Sequence, residues 1–296
     1  DFSAGDLSLR EAISLSNEQS GTDTITFDDS LSGGTINNSL EGELLISDSL
    51  SIIGLGKDNL TINGGFVFNI AQPNIDVAID GVNIVGGTVD NSGNLTLSNS
   101  QIRETLNING SSDYYALISR ENVNIINSSI RDNDGGDNVG VVIESGTATV
   151  ESSTIANNNG GTSGPAGIII NSDATANIRN STIANNSSRF GGGVINAGTV
   201  DISNSTIVDN QGGRTAGGII NRGNANVTSS IVANNTGNDG TFAVGDVYNV
   251  TDDGVFTSGG NNLIGNGDDA TGFTDGVNGD LVGSDGDDPL DRQLDL

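Results

Sequence analysis

The chain contains no histidine, no cysteine, no tryptophan and no methionine, and its 10 cationic side chains include a single lysine, Lys57. Each absence removes chemistry. Without cysteine there is no disulfide, no thiol nucleophile and no cysteine-ligated metal. Without histidine there is no Ser-His-Asp triad, no imidazole acid–base catalysis and no histidine-ligated zinc. Proline is nearly absent as well, at Pro73, Pro165 and Pro289. No run of about 18 apolar residues is present, so no membrane-spanning helix is expected. Against 10 Lys and Arg stand 38 Asp and Glu, for a net charge of -28. Such a surface repels nucleic acid and anionic membranes. The sequence opens at Asp1 without methionine, which reads as an excised piece or a mature form.

What is abundant is glycine, asparagine, serine and β-branched residues, and they recur. Asn99-Ser100-Gln101-Ile102 returns as Asn127-Ser128-Ser129-Ile130, Ser152-Ser153-Thr154-Ile155, Asn180-Ser181-Thr182-Ile183, Asn204-Ser205-Thr206-Ile207 and Thr228-Ser229-Ser230-Ile231. A repeat of roughly 24–28 residues marks a stacked solenoid. Within one repeat, Val194–Asn196, Val200–Ser203 and Thr206–Asp209 read as short strands separated by turn residues. Three short strands per turn cannot form a core alone. Stacking the coils gives every strand a parallel neighbour above and below. The expected fold is therefore all-β: a right-handed parallel β-helix with a short N-terminal capping helix. It is read as one domain over 1–296, with a cap at 1–20, coils at 21–238 and irregular acidic coils and a cap at 239–296.

Leu7–Ile13 supplies the helix, with Ser8 and Glu11 placed for a capping box and Leu9, Ala12 and Ile13 on one face. Asparagine suits the bends, because it tolerates left-handed backbone and its amide bonds to a copy one coil away. Two structural ladders are expected: Asn99, Asn127, Asn180 and Asn204, with Ser152 and Thr228 substituting, and Asn133, Asn158, Asn186, Asn210 and Asn234.

Candidate binding residues lie in the irregular segments. Tyr114 and Tyr115 adjoin in a chain with 3 tyrosines, and one of them is a candidate sugar platform. Arg189 and Arg214 sit in variable loops that should line one side of the rod, where function commonly resides. Near the C-terminus, Asp268, Asp269, Asp275, Asp280, Asp285, Asp287 and Asp288 crowd a glycine-rich stretch. Calcium prefers several carboxylate and carbonyl oxygens on flexible backbone, so Ca2+ is the candidate metal there. The stretch lacks EF-hand or nonapeptide-repeat spacing.

Leu7–Ile13 resembles the N-terminal motif of CSLREA-type β-helix proteins. Gly192-Gly193-Val194-Ile195 followed by Ile207-Val208-Asp209-Asn210, and Gly217-Gly218-Ile219-Ile220 followed by Ile231-Val232-Ala233-Asn234, resemble repeats of polymorphic outer-membrane proteins, with Ile in place of Phe. Gly259–Gly265, Asp280–Gly283 and Asp288–Leu290 resemble the ends of choice-of-anchor β-helix proteins. The resemblance implies an extracellular or bacterial cell-surface location, an adhesin-like or scaffold role within a larger secreted chain, and no catalytic residue.

Parallel β-helices also host lyases, hydrolases and epimerases, so fold alone does not decide function. Histidine-dependent versions are excluded by composition. No Arg-x-Pro-x-x-Arg pattern exists, and the adjacent aspartates Asp28-Asp29, Asp252-Asp253, Asp268-Asp269 and Asp287-Asp288 fall in separate turns. Two readings stand: a non-catalytic binding or scaffold module with a polysaccharide or cell-surface ligand, and a lyase or hydrolase using Arg and Asp on acidic polysaccharide.

Overall fold

The computed structural model describes residues 7–38, 42–64, 66–105, 115–134, 140–161, 164, 167–213, 216–238, 243–250 and 254–284. The chain is a parallel β-solenoid. In a central coil the strands are Val194–Asn196, Thr199–Ser203 and Thr206–Val208, and each pairs in parallel with its copies in the coils before and after. These three positions build three faces, here called the first, second and third sheets. The long strands Val141–Glu151 and Ile168–Arg179 run from the first sheet into the second.

The motif Asn-Ser-Thr-Ile assigns one job to each residue. The isoleucines point inward and stack: Ile62, Ile84, Ile102, Ile130, Ile155, Ile183, Ile207, Val232 and Ile264 form one column, all fully buried. Each contributes about 1.5–3 kcal/mol relative to exposure. The Thr faces outward. The Asn takes the left-handed bend, with φ of 49, 47, 51 and 48° at Asn99, Asn127, Asn180 and Asn204.

The Ser is buried and forms a ladder that the repeat did not advertise. The backbone N–H of Ser100, Ser128, Ser153, Ser181 and Ser205 each donates to the hydroxyl of the next serine in that series, ending on Ser230. Ser230 N–H then donates to Asn262 Oδ1, and Asn262 donates to Asp280 Oδ1.

The asparagine ladder runs beside it. Asn133 donates through N and Nδ2 to Asn158 Oδ1, Asn158 to Asn186, Asn186 to Asn210 and Asn210 to Asn235. The expectation of Asn234 in this column is corrected: Asn234 is exposed with φ 58°, and Asn235 is the rung. The pairing explains why. Ile207 aligns with Val232 rather than Ile231, so the coil is displaced by one residue and Ser229, not Thr228, takes the bend. Asn235 donates to Asp246 Oδ1. Both ladders thus point their donors toward the C-terminus and end on a buried aspartate. A carboxylate accepts without donating, so it closes a one-way chain of donors.

Glycines let the coils approach. A Cβ on Gly193 would lie 2.4 Å from the carbonyl oxygen of Gly218, and one on Gly218 would lie 2.1 Å from that of Asp246. The Gly-Gly-apolar pattern records this close contact at the entry to the strands Val194–Asn196 and Ile219–Asn221.

The N-terminal helix, Leu9–Glu18, covers the open edge of the first sheet. Ser8 and Glu11 close a capping box, Leu9 and Ile13 are buried, and the helix packs on the strand Leu44–Ile46. Asn17 Nδ2 donates to the Leu45 carbonyl and its Oδ1 accepts from Ser47 N–H, satisfying edge backbone that would otherwise invite another strand. The Ser8 backbone N–H and hydroxyl hold the Glu11 carboxyl down at about 2, from an ordinary 4.5. A depressed folded-state pKa makes the cap's contribution complete above pH 4.5 and lost as pH falls toward 2. Amide exchange in the first helical turn should therefore accelerate across that window. Glu11→Gln, which keeps a capping amide oxygen, should remove the pH dependence. Among the described residues no helix is long and apolar enough to cross a membrane.

Candidate functional site: a cleft at Tyr115

Stacking brings together side chains far apart in sequence on the outside of the first sheet. Leu45, Asn69, Asp90 and Ile118 are successive outward neighbours. Beside them lies a cleft of about 180 Å³ lined by Glu43, Phe68, Asn69, Thr88, Asp90, Tyr115, Ile118 and Arg120. Tyr115 and Arg120 flank the strand Leu117–Ser119, Thr88 and Asp90 belong to Thr88–Asn91, and Glu43 precedes Leu44–Ile46.

The polar groups are held across coils. Arg120 spans two carboxylates: one nitrogen pairs with Asp90 and Nε lies 2.9 Å from Glu144. Its backbone N–H donates to the Asn91 carbonyl at 2.8 Å. Asn69 Nδ2 donates to Glu43 Oε2 at 2.6 Å. These groups are part-exposed, so the ion pairs contribute orientation more than stability.

Thr88 differs. It is 6% exposed, and its hydroxyl has no hydrogen-bond partner. A buried hydroxyl without a partner costs free energy, and this one belongs to a residue of the cleft wall. Two other buried polar atoms among the described residues are unpartnered, Ser16 Oγ and Asp23 Oδ2. Both residues line a larger cavity of about 660 Å³ between the helix and the first coil. That cavity is walled mainly by aliphatic side chains and by the strand Asp23–Thr26, which among the described residues pairs only with Leu50–Ile53. It lies between cap and core and lacks the braced polar side chains of the Tyr115 cleft, which is the better site.

Beyond Ile118 the same outward column turns apolar through Val142, Ile169, Ile195, Ile220 and Tyr248. Ile118, Val142 and Ile220 are nonetheless 3, 5 and 1% exposed. The variable turns help to cover them: a Cβ on Gly191 would meet Ile220 Cδ1 at 2.6 Å and Ile195 Cδ1 at 2.9 Å. Arg189 stands in that turn with its guanidinium 5.6 Å from the Phe190 ring centre, and it is not part of the cleft wall. The loops expected to carry ligand contacts thus have packing work on this face.

Of the residues singled out from sequence, Tyr115 lies in the cleft, while Tyr114 and Arg214 fall outside the described residues, as do Asp285, Asp287 and Asp288. The remaining aspartates do not converge. Asp280 is buried as a ladder terminus and also accepts from the Ser258 hydroxyl, Asp269 accepts from Gly245 N–H, and Asp275 accepts from Val282 N–H. Asp268 donates its own N–H to Asn266 Oδ1. Among the described residues no group of three or more acidic side chains is placed to hold a metal.

No protein-family model and no curated protein matches the chain. Among solved structures it is similar to the A-modules of two mannuronan C-5 epimerases of Azotobacter vinelandii. AlgE6 shares 14% identity over 93% of this chain and 94% of that one, with a TM-score of 0.36. AlgE4 shares 14% over 86% and 81%, with a TM-score of 0.44. The catalytic unit of a GH87 alpha-1,3-glucanase from Streptomyces thermodiastaticus shares 13% over 86% and 64%, at 0.25. Similarity at this level transfers no residue role and no activity.

Proposed function

We propose that this chain is a non-catalytic, extracellular or cell-surface β-helix module, an adhesin-like scaffold within a larger secreted protein, which binds carbohydrate at the Tyr115 cleft. The observation that carries this reading is the unpartnered Thr88 hydroxyl in a cleft whose other walls are an aromatic ring and cross-coil-braced Asp90, Arg120 and Asn69. Such a mixture of an aromatic face and fixed polar groups suits a sugar ring, which presents an apolar face and an edge of hydroxyls. The -28 charge keeps a long exposed rod soluble and discourages self-association.

A second reading draws on the same place. Asp90 and Glu144 paired with Arg120, with Glu43 elsewhere in the same cleft wall, are groups that a polysaccharide lyase or hydrolase could use. Incubation with a panel of neutral and acidic polysaccharides separates the two. Retained binding with no new chain ends supports the module. Reproducible new ends that vanish in Arg120→Ala would replace it with the enzyme. Tyr115→Ala should weaken binding about tenfold, or about 1.4 kcal/mol, because it removes the aromatic face on which the sugar's apolar C–H face packs.

A further inference from the structure

The cleft's charge defines the sugar it accepts. Two carboxylates, Asp90 and Glu144, pair with the one guanidinium of the cleft wall, that of Arg120, and Glu43 is a further carboxylate of that wall. The charge of Arg120 is thus already offset by two carboxylates, which leaves it a weak attractor for a ligand carboxylate. Glu43 has an amide partner, Asn69, and no ion pair among the described residues. The whole chain carries a net charge of -28.

Carboxylates accept hydrogen bonds and cannot donate them. A sugar hydroxyl or an ammonium donates to them. A uronate carboxylate brings only further acceptors and a repelling charge. Specificity of this kind arises as much from what the site rejects as from what it holds. The Thr88 hydroxyl is covered in the unbound chain, and a ligand that displaces its cover gains a group that donates or accepts, as the ligand hydroxyl requires.

We infer that the cleft binds glycans built from neutral or amine-bearing sugars and discriminates against uronates. This rests on the carbohydrate-binding reading above. Thr88 pairs with a ring hydroxyl, Tyr115 offers its ring to the sugar's apolar face, and Asp90 and Glu43 accept from hydroxyls or an ammonium.

Isothermal titration of the full chain with a cello-oligosaccharide, a chitosan oligosaccharide and an oligogalacturonate tests the assignment. The neutral and amine-bearing oligomers should bind, the oligogalacturonate at least tenfold more weakly. Chitosan affinity should fall with added salt while the neutral oligomer's stays level. Thr88→Val removes one hydroxyl at nearly constant shape. It should reduce neutral-oligomer binding about tenfold without lowering the melting temperature, because that hydroxyl has no partner to lose. A merely structural Thr88 would leave binding unchanged. Oligogalacturonate bound as tightly as the others would overturn the charge selectivity and leave carbohydrate binding standing. Binding of none of the three would overturn both.

Discussion

Asn186→Ala should lower the free energy of unfolding by about 3–4 kcal/mol. Asn186 is fully buried in the middle of the asparagine ladder. Its Oδ1 accepts from Asn158 N and Nδ2, and its Nδ2 donates to Asn210 Oδ1 and the Ile155 carbonyl. Truncation strands two donors of Asn158 and the carbonyl of Ile155 where water has no access. Each such group costs about 1–3 kcal/mol, partly relieved if the coils relax. The neighbouring Asn185 is the control. It is exposed at φ 55°, so Asn185→Ala should cost only about 1 kcal/mol, that of a left-handed alanine. Equilibrium denaturation of the two variants is the measurement. Equal small losses would mean that the ladder is decorative and the isoleucine columns alone hold the coils.

Gly193→Ala should cost about 2–3 kcal/mol through a different mechanism. Its new methyl carbon would sit 2.4 Å from the Gly218 oxygen and 3.0 Å from the Gly217 oxygen, both backbone atoms with no side-chain freedom to yield. The coils must part there, which weakens the hydrogen bonds from Gly193 N–H to Gly217 and from Val194 N–H to Gly218, at 2.7 and 2.8 Å. Replacement of Gly33, whose Cβ position is open but whose φ is 77°, should cost only backbone strain. Thermal melts of both variants distinguish crowding from strain.

The inward isoleucines at Ile130, Ile155, Ile183 and Ile207 could be read from the repeat because apolar spacing and turn residues reinforce each other. The capping box at Ser8 and Glu11 was visible for the same reason: its residue types and spacing are local. The slip at Asn234 had a local cause too. Thr228-Ser229-Ser230-Ile231-Val232 offers three adjacent hydroxyl residues and two adjacent β-branched aliphatic residues, so either alignment satisfies the pattern. Only the strand pairing resolves it.

The serine ladder escaped notice because serine in a turn has an ordinary explanation, and burial is a property of the stacked coil. The cleft was less visible still. Tyr115 stands out as one of few aromatics, but Glu43, the Thr88–Asp90 pair and Arg120 come from three separate coils. One signal was present: Asp90, Arg120 and Glu144 are opposite charges spaced at about the coil repeat, as are Glu151 and Arg179, which pair at 2.7 Å. Searching for charge complementarity at the repeat period would have found them. In the acidic C-terminal stretch the described aspartates have other partners: Asp280 closes a hydrogen-bond ladder, and Asp269 and Asp275 accept from nearby backbone, while Asp285, Asp287 and Asp288 lie outside the described residues.

On the proposed reading, the Tyr115 cleft is where this rod meets a sugar. A crystal structure of the chain with a bound cello-oligosaccharide tests it most directly. The account predicts one ring against Tyr115, a ring hydroxyl within hydrogen-bond distance of Thr88 Oγ1, and an unbroken glycosidic bond. An oligosaccharide seated elsewhere on the rod, with the Thr88 hydroxyl still unpartnered, would contradict it.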